Sequence, residues 1–198
     1  MACEKSGLNP IITSDYEEIL NCKSAILPGI GAFGEGVNRL RKLKLDECIR
    51  EFVASKKMFI GVCLGFQMLF SESSEFGYHQ GLNLIQGSTK KFTFSSQENL
   101  KKQYKVPHIG WNILHQEKDW NKSLLKNNLN KDFMYFVHSY YVKNVETESV
   151  IATTKYAGIK YCSAVKKDNI YGFQFHPEKS GLNGLKVYHN LRSSIQDE

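Results

Sequence analysis

A buried strand that runs directly into a glycine-flanked cysteine constrains the fold of this chain more than any other segment. Met58–Val62 is an apolar run, and Cys63 follows it between Gly61 and Gly65. Apolar residues then recur at helical spacing as far as Phe70. A tight strand-to-helix turn needs small flanking residues, and it points its central side chain out of the carboxyl edge of an α/β sheet. The segment therefore predicts a reactive sulfur at the carboxyl edge of the sheet.

The first half of the chain alternates strands with helices. Strands are predicted at Asn9–Thr13, Ser24–Leu27 and Met58–Val62. A capping box at Ser14 predicts a brief helix to about Leu20, and helical spacing continues through residues 37–53. This alternation predicts a parallel sheet with helices on both faces.

The second half consists of aromatic and β-branched runs, several of them joined by short turns. These runs are Thr89–Phe94, Phe133–Val142, Val150–Thr154, Ile159–Val165 and Ile170–Phe175. They predict a mixed or antiparallel extension of the sheet. A helix is predicted at Gly181–Ser194, and polar loops at Ser71–Gly81 and Ser95–Gln103. We therefore expect residues 1–198 to form a single α/β domain.

The charge of the chain does not predict a nucleic-acid site. The net charge is +6, from 26 Lys and Arg against 20 Asp and Glu. Only Arg39, Arg41, Arg50 and Arg192 are arginines, although the planar Arg fork is the usual means of reading phosphates and bases. A lysine-rich excess spread along the chain is typical of a solvated surface.

The sequence also predicts no membrane span, no disulfide framework and no metal site. The sequence holds no run of eighteen apolar residues and no apolar signal segment at its start, so we expect no membrane span and a cytoplasmic protein. The five cysteines are odd in number and show no Cys-x-x-Cys spacing, which argues against a disulfide framework or a zinc site. We expect no metal and no cofactor.

A histidine that follows a strand completes the candidate chemistry. Pro177 favours an extended backbone at His176, and residues two apart in an extended chain point the same way, so Glu178 can reach the imidazole. Cys63, His176 and Glu178 then predict a nucleophile, a base and a carboxylate that orients the base. Taken singly, they could be a buried cysteine, a strand-end histidine and a surface carboxylate. Their combination favours the triad.

Two backbone segments are candidates for holding negative charge on a substrate oxygen. The N–H of Leu64 lies at the predicted helix start, and the loop Pro28–Gly31 follows a strand at the same edge of the sheet. The Ile30–Gly31 peptide is the candidate within that loop. Such donors form oxyanion holes in acyl-transfer enzymes. The alternative for the loop is a plain strand-to-helix turn.

The segments GVCLGFQML and QFHPEKS resemble those of triad (class I) glutamine amidotransferases. That family hydrolyses glutamine to glutamate and ammonia through a γ-glutamyl thioester, on a flavodoxin-like sheet. Within the family, PGIGAFG, VPHIGWN and YFVHSYYV are most similar to the glutaminase subunits of imidazole glycerol phosphate synthase. The resemblance runs from about Leu8 to Leu191.

The resemblance implies roles for further residues. It makes Cys63 the nucleophile, His176 the general base and then acid, and Glu178 the orienting residue. The implied oxyanion hole consists of the backbone amides of Ile30 and Leu64. The implied glutamine contacts are Gly29, Gln67, Ser139 and Tyr140.

The resemblance also implies a partner. In that branch the glutaminase pairs with a (β/α)8 cyclase subunit, HisF, which receives the ammonia and uses it to form imidazole glycerol phosphate. Trp111, Asn112 and Lys179 match the interface positions. The first oxyanion amide responds to the partner in this family, which implies low activity for the glutaminase by itself. The alternative for Trp111 is packing in the core.

The sequence departs from the family at its start. Relatives begin with a strand and an Asp-Tyr-Gly-x-Gly-Asn turn, whereas Cys3–Pro10 matches the last turns of the helix that follows them. We therefore expect the first strand to be absent, and roughly 15–20 residues to be missing by usual element lengths.

Three functions remain open at this point. The first is the glutaminase of histidine biosynthesis. The second keeps the chemistry but supplies ammonia to a sugar amidotransferase of surface-polysaccharide or flagellin-glycan biosynthesis, a branch that Tyr161–Ala164 weakly resembles. The third is a non-catalytic binding module.

Overall fold

The computed structural model describes residues 1–94 and 104–196, so the predicted loop Ser95–Gln103 lies outside the described residues. The helices are α1 (Ala2–Lys5), α2 (Tyr16–Asn21), α3 (Phe33–Lys42), α4 (Leu45–Ala54), α5 (Leu64–Met68) and α6 (Gly181–Gln196). The strands are β1 (Ser24–Leu27), β2 (Met58–Val62), β3 (Glu72–Ser73), β4 (His79–Gln80), β5 (Ser88–Lys91), β6 (His108–Ile113), β7 (His115–Gln116), β8 (Phe133–His138), β9 (Tyr140–Lys143), β10 (Val150–Tyr156), β11 (Ile159–Lys167) and β12 (Ile170–Phe173). Short 3-10 turns occupy Thr147–Ser149 and Pro177–Lys179.

Most strands form one sheet, in the order β1-β2-β12-β11-β9-β5-β3-β4. β2 lies between β1 and β12 and is parallel to both. From β12 onward most pairs are antiparallel, and β11 pairs in this way with β12, β10 and β9. β6 and β8 form a separate antiparallel ribbon. The predicted α/β fold, with a parallel first half and a mixed extension, is confirmed.

Helices cover both faces of the sheet, because alternate residues of its central strands point to opposite sides. In β2, Ile60 and Val62 pack in one core cluster with Val187 of α6. Phe59 packs in the other cluster with Phe52 of α4. No helix among the described residues is long and apolar enough to cross a membrane.

Several predicted elements form with small shifts at their ends. β1 and β2 have the predicted bounds, and α6 runs two residues beyond Ser194. The helix predicted from Ser14 begins at Tyr16, because the Asp15 side chain is the N-cap and accepts the Glu18 N–H at 2.8 Å.

The strand predicted at Asn9–Thr13 is wrong. Residues 8–15 form neither helix nor strand, and Ile11 and Ile12 are exposed. β-Branched residues favour an extended backbone, but a strand also needs a neighbouring ladder of hydrogen bonds. β1 ends the sheet order and, among the described strands, pairs only with β2.

The region between β2 and β10 holds more strands than its pattern predicts. The run Phe133–Val142 breaks at Ser139 into β8, which joins the ribbon, and β9, which joins the main sheet. The predicted loop Ser71–Gly81 contains the two-residue strands β3 and β4. The sequence pattern does not predict β6, because its inward residues include the polar His108 and Asn112, while its large apolar side chains point outward.

Backbone contacts that only glycine permits hold α5 against the sheet. A Cβ on Gly65 would collide with the carbonyl oxygen of Leu27, and one on Gly61 would lie 2.7 Å from the carbonyl oxygen of Gly65. The first turn of α5 therefore packs directly on the backbone of β1 and β2. This contact gives the physical reason for the two glycines around Cys63.

We expect Gly65→Ala to lower the free energy of unfolding by about 1–3 kcal/mol, because the added methyl group must displace backbone atoms. Thermal or denaturant unfolding measures the change. Gly36→Ala is the matched control: the three atoms nearest to its methyl group would belong to the side chains of Met68 and Leu64 rather than to the backbone, and alanine is favoured over glycine in helices by about 1 kcal/mol. Equal stability of the two variants would contradict the proposed backbone contact.

Candidate active site

Cys63 occupies a strained turn at the carboxyl end of β2. Its φ of 55° and ψ of −107° lie outside the regions that non-glycine residues ordinarily adopt, and α5 begins at the next residue. Strain of this kind costs about 1–3 kcal/mol and persists only where the surroundings enforce it. The side chain lies at the wall of a cavity of about 310 Å³, and the sulfur is 3.9 Å from the carbonyl oxygen of Val137. The predicted elbow geometry is therefore present.

His176 is held at the same cavity by hydrogen bonds to the ribbon. Its backbone N–H donates to the carbonyl oxygen of Tyr135 at 2.9 Å. The Ser180 hydroxyl donates to the carbonyl oxygen of His176 at 2.6 Å and accepts the Tyr135 N–H at 3.0 Å. The segment after β12 is thereby fixed to β8 from both sides.

Glu178 contacts the imidazole as the sequence predicts. Its Oε1 lies 2.7 Å from Nδ1 of His176, while Nε2 is buried with no hydrogen-bond partner among the described residues. Burial lowers the pKa of His176, but the Cys63 side chain and the Glu178 carboxylate outweigh it and raise the pKa to about 9. Burial raises the pKa of Glu178, but the hydrogen bond with His176 outweighs it and lowers the value. At neutral pH the pair is therefore an imidazolium and a carboxylate.

Most of the predicted substrate residues line one cavity. The predicted residues in its wall are Ile30, Cys63, Leu64, Gln67, Ser139, Tyr140, His176 and Lys179. Gln67 is buried, and its Nε2 donates to the carbonyl oxygen of Tyr140 at 2.9 Å and to Oε1 of Gln174 at 3.0 Å. Both amide hydrogens are thus used inside the protein, which leaves Oε1 of Gln67 as the end that can accept a hydrogen bond from a ligand.

The loop after β1 passes beside the start of α5. Gly31 adopts a φ of +97°, a backbone conformation that favours glycine, and the Ile30 side chain is 89% exposed. Gly29 packs against Leu64, since a Cβ on Gly29 would lie 2.9 Å from the Cβ of Leu64. Gly29 thus supports the wall from behind and is not among the residues that line the cavity. Its predicted contact with substrate, and the oxyanion roles of Ile30 and Leu64, stay predictions.

Glu75 is a cavity residue that sequence reasoning missed. It is 9% exposed, lines the same cavity, and its Oε2 accepts the N–H of Phe33 at 2.6 Å, where α3 begins. The positive end of a helix stabilises a carboxylate. The sequence marks Ser71–Gly81 only as a polar loop, and composition cannot show which carboxylate of such a loop turns inward.

The three predicted interface residues lie in different surroundings. Trp111 is 54% exposed on the outer face of the ribbon, with its ring 6.0 Å from that of Tyr135, so the alternative of core packing is wrong for this residue. Asn112 points to the inner face and donates from Nδ2 to the carbonyl oxygen of Lys155 at 3.0 Å. Lys179 lies at the cavity wall.

Comparisons with known proteins agree with the motifs. The family model for class-I glutamine amidotransferases matches residues 9–190. The imidazole glycerol phosphate synthase subunit HisH of Chlorobium chlorochromatii (strain CaD3) is 41% identical over 190 residues, which is 96% of this chain and 90% of the relative. The subunit of the same name from Caldanaerobacter subterraneus subsp. tengcongensis is 42% identical over 190 residues, covering 96% of this chain and 88% of that one.

A solved structure shares the fold at low identity. The glutaminase domain of Trypanosoma brucei CTPS superposes with a TM-score of 0.62 at 15% identity, over 100% of this chain and 85% of that chain. The family predicted from the motifs is confirmed by the family model and by the HisH relatives. This chain therefore belongs to the class I glutamine amidotransferase family.

Proposed function

We propose that this chain is the glutaminase subunit of an imidazole glycerol phosphate synthase. It hydrolyses L-glutamine to L-glutamate and ammonia in the cytoplasm and passes the ammonia to a (β/α)8 cyclase subunit, HisF. The observation that carries the proposal is one cavity whose wall holds both Cys63 and His176, with Glu178 hydrogen-bonded to the imidazole. The chain that builds this cavity is 41% identical to a HisH subunit.

The geometry supports covalent catalysis by Cys63. The proton of the Cys63 thiol passes to His176, and the resulting thiolate attacks the side-chain carbonyl carbon of glutamine. The protonated His176 then donates this proton to the leaving nitrogen as the C–N bond breaks. Ammonia departs and a thioester remains. His176 then accepts a proton from water, whose oxygen bonds to the carbonyl carbon while the C–S bond breaks. Glu178 keeps Nδ1 of His176 protonated, so that Nε2 exchanges protons with the substrate.

Backbone amides hold the oxyanion of both steps. The amides proposed for this role are those of Leu64, next to Cys63, and of Ile30, in the loop that bounds the cavity. One such donor typically changes a rate by about 10² to 10³. Gly29 contributes by letting the loop lie close to Leu64.

Polar side chains in the cavity suit the polar groups of glutamine. Glu75 supplies a buried carboxylate for the α-ammonium group, and Gln67 offers its Oε1. Ser139 and Tyr140 complete the wall where the chain crosses from β8 to β9. Oε2 of Glu75 already accepts the N–H of Phe33, and the negative charge of the carboxylate at the cavity favours a cationic group of the substrate beside it.

The outer face of the ribbon is the proposed docking surface for the cyclase. Ile109, Trp111 and Phe133 are 60%, 54% and 54% exposed on this face. Trp111 also lies 3.9 Å from a Cβ built on Gly181, two residues after Lys179 of the cavity wall. An exposed apolar patch of this kind marks an interaction site, and its position beside the cavity suits transfer of ammonia to the partner.

Cys63→Ala should lower ammonia release from glutamine by more than about 10³-fold in the presence of the cyclase, because no other group of the site replaces the nucleophile. A coupled assay for glutamate measures the rate. Cys22→Ala is the control, since Cys22 is half-buried next to α2 and its thiol donates to the carbonyl oxygen of Glu18. Activity that survives the loss of Cys63 would remove the mechanism.

A growth-complementation test distinguishes the two candidate ammonia acceptors, the cyclase of histidine biosynthesis and a sugar amidotransferase. The gene should restore growth without histidine to a strain that lacks its own glutaminase subunit, and the Cys63→Ala gene should not. Failure of the unaltered gene despite good expression would favour the supply of ammonia to a surface sugar.

The fall of activity at alkaline pH, the alkaline limb, should follow the loss of the proton from His176. Since its pKa is raised to about 9, the proton needed by the leaving nitrogen is present at neutral pH and is lost as the pH rises through about 9. Glu178→Gln removes the charge that helps to retain this proton, so the limb should move to lower pH by about one unit, which corresponds to about 1.4 kcal/mol. The pH profile of kcat/KM, measured with the cyclase present, gives this value because the ratio reports groups of the substrate-free enzyme. Glu35→Gln on the exposed side of α3 should leave the limb in place.

Trp111→Ala should weaken binding of the cyclase by about thirtyfold, since buried aromatic anchors are typically worth about 2 kcal/mol or more in an interface. Titration calorimetry with the purified cyclase gives the Kd. Leu43→Ala, another exposed apolar residue at the end of α3, serves as the control. An unchanged Kd for the Trp111 variant would place the docking surface elsewhere.

A further inference from the structure

The inner face of the ribbon carries a continuous chain of side-chain hydrogen bonds. Nδ2 of Asn112 lies 3.3 Å from Nε2 of His108, and Nδ1 of His108 lies 3.2 Å from the hydroxyl of Tyr161. The same hydroxyl lies 3.2 Å from Nε2 of His138, and Nδ1 of His138 lies 2.7 Å from the carbonyl oxygen of Tyr140. Four side chains thus connect one strand of the ribbon to the backbone at the cavity.

The two ends of this chain fix the position of every proton in it. Oδ1 of Asn112 accepts the N–H of Ile113 at 2.8 Å, so its Nδ2 is the donor that faces His108. The carbonyl oxygen of Tyr140 can only accept, so Nδ1 of His138 carries a hydrogen. Burial lowers the pKa of His108 to about 4 and that of His138 to about 3, so both rings are neutral at pH 7.

One arrangement alone satisfies these constraints. Neutral His108 accepts at Nε2 and donates from Nδ1 to the oxygen of Tyr161. The hydroxyl of Tyr161 then donates to Nε2 of His138, which donates from Nδ1 to the carbonyl oxygen of Tyr140. All bonds point in the same direction, from Asn112 toward the cavity. A neutral imidazole has one donor and one acceptor nitrogen, so each link decides the tautomer of the next ring.

The chain of hydrogen bonds ends on the backbone carbonyl of Tyr140, which also holds the side-chain amide of Gln67, a proposed glutamine contact. The carbonyl oxygen of Tyr140 accepts from His138 and also from Nε2 of Gln67 at 2.9 Å. His138, Tyr161 and Gln67 are all buried. The ring of Phe92 lies 5.3 Å from that of His138 and 5.6 Å from that of Tyr161. Aromatic packing of this kind keeps water from replacing a lost partner.

We propose that Tyr161 is a positioning residue: its hydroxyl anchors the His138 ring at Nε2, keeps Nδ1–H on the Tyr140 carbonyl oxygen, and thereby fixes this carbonyl and the Gln67 amide in the orientation that receives glutamine. The proposal rests on the proposed function, because it takes Gln67 as a glutamine contact. Asn112 sets the direction of the chain, and its neighbour Trp111 stands on the outer face of the same strand.

The physical reason lies in what His138 does without the hydroxyl of Tyr161. Nε2 then lacks its donor, and a ring that is bonded at one nitrogen only is free to tilt. A tilt moves Nδ1–H away from its 2.7 Å contact with the carbonyl oxygen of Tyr140. The carbonyl then turns, and Gln67 loses one of the two acceptors that hold its amide.

Tyr161→Phe tests this role, because it removes the hydroxyl and keeps the ring. In a Cys63→Ala background, which blocks turnover, we expect glutamine to bind several-fold to about tenfold more weakly by calorimetry. NMR of ¹⁵N-labelled histidine should show the Nδ1–H proton of His138 strongly hydrogen-bonded in the parent, and its signal should move upfield in the variant as this bond to Tyr140 weakens. Tyr156→Phe is the matched control: its ring stacks 3.9 Å from that of His108, but its hydroxyl donates to the carbonyl oxygen of Lys105, outside the chain. It should leave both readouts unchanged.

Asn112→Asp is a second, nearly isosteric variant that tests the direction of the chain at its other end. A carboxylate accepts where the amide donates, so His108 should move its hydrogen to Nε2 and take the proton of Tyr161 as an acceptor. His138 then loses its donor, as in Tyr161→Phe, and glutamine should again bind more weakly. A His108 that keeps its hydrogen on Nδ1 in this variant would overturn the proposal even if Tyr161→Phe failed to fold.

The outcomes separate the positioning role from the proposed function. If the parent binds glutamine and Tyr161→Phe binds it equally well with the Nδ1–H signal of His138 unchanged, the positioning role is overturned and the glutaminase proposal stands. A variant that only melts at a lower temperature, with both readouts unchanged, overturns it in the same way. A parent that binds no glutamine, alone or with the cyclase, overturns the proposed function and the role of Tyr161 together.

Discussion

The rest of the structure depends on the close approach between the first turn of α5 and the backbone of β1. Because Gly65 brings the helix onto the carbonyl oxygen of Leu27, the chain between β2 and α5 has room for only one residue, and that residue is Cys63 in its strained conformation with positive φ. The same approach draws Gly29 onto Leu64 and so sets the position of the loop that closes the cavity. Backbone packing, more than any side-chain contact, determines where the sulfur stands.

The cavity lies where the main sheet and the ribbon meet. Cys63 and Leu64, which follow the parallel strand β2, form part of its wall, and Ser139, where the chain leaves the ribbon and enters the sheet, forms another part. His176 belongs to a segment that follows β12 but is fastened to the backbone of Tyr135 in the ribbon. Because both substructures contribute, the distance between the sulfur and the imidazole depends on how the ribbon sits on the sheet.

Much of the fold and the triad could be predicted from sequence, because their signals are local. The bounds of β2 follow from an apolar run, and the pairing of His176 with Glu178 follows from extended geometry over three residues. Glu75 could not be predicted, since its burial depends on the distant N–H of Phe33. The strand predicted at Asn9–Thr13 does not form, although its composition suits a strand. Strand formation also depends on a neighbouring strand, which local composition does not reveal.

The pleat of β6 separates two kinds of contact by a single residue. Trp111 faces outward from the ribbon, while Asn112 faces the buried histidines. Substitutions at the outward positions can therefore alter the shape offered to a partner while leaving the inward polar groups untouched. Such a strand can acquire a new binding specificity by gradual change, because the demands of recognition and those of the interior fall on alternate positions of the same six residues.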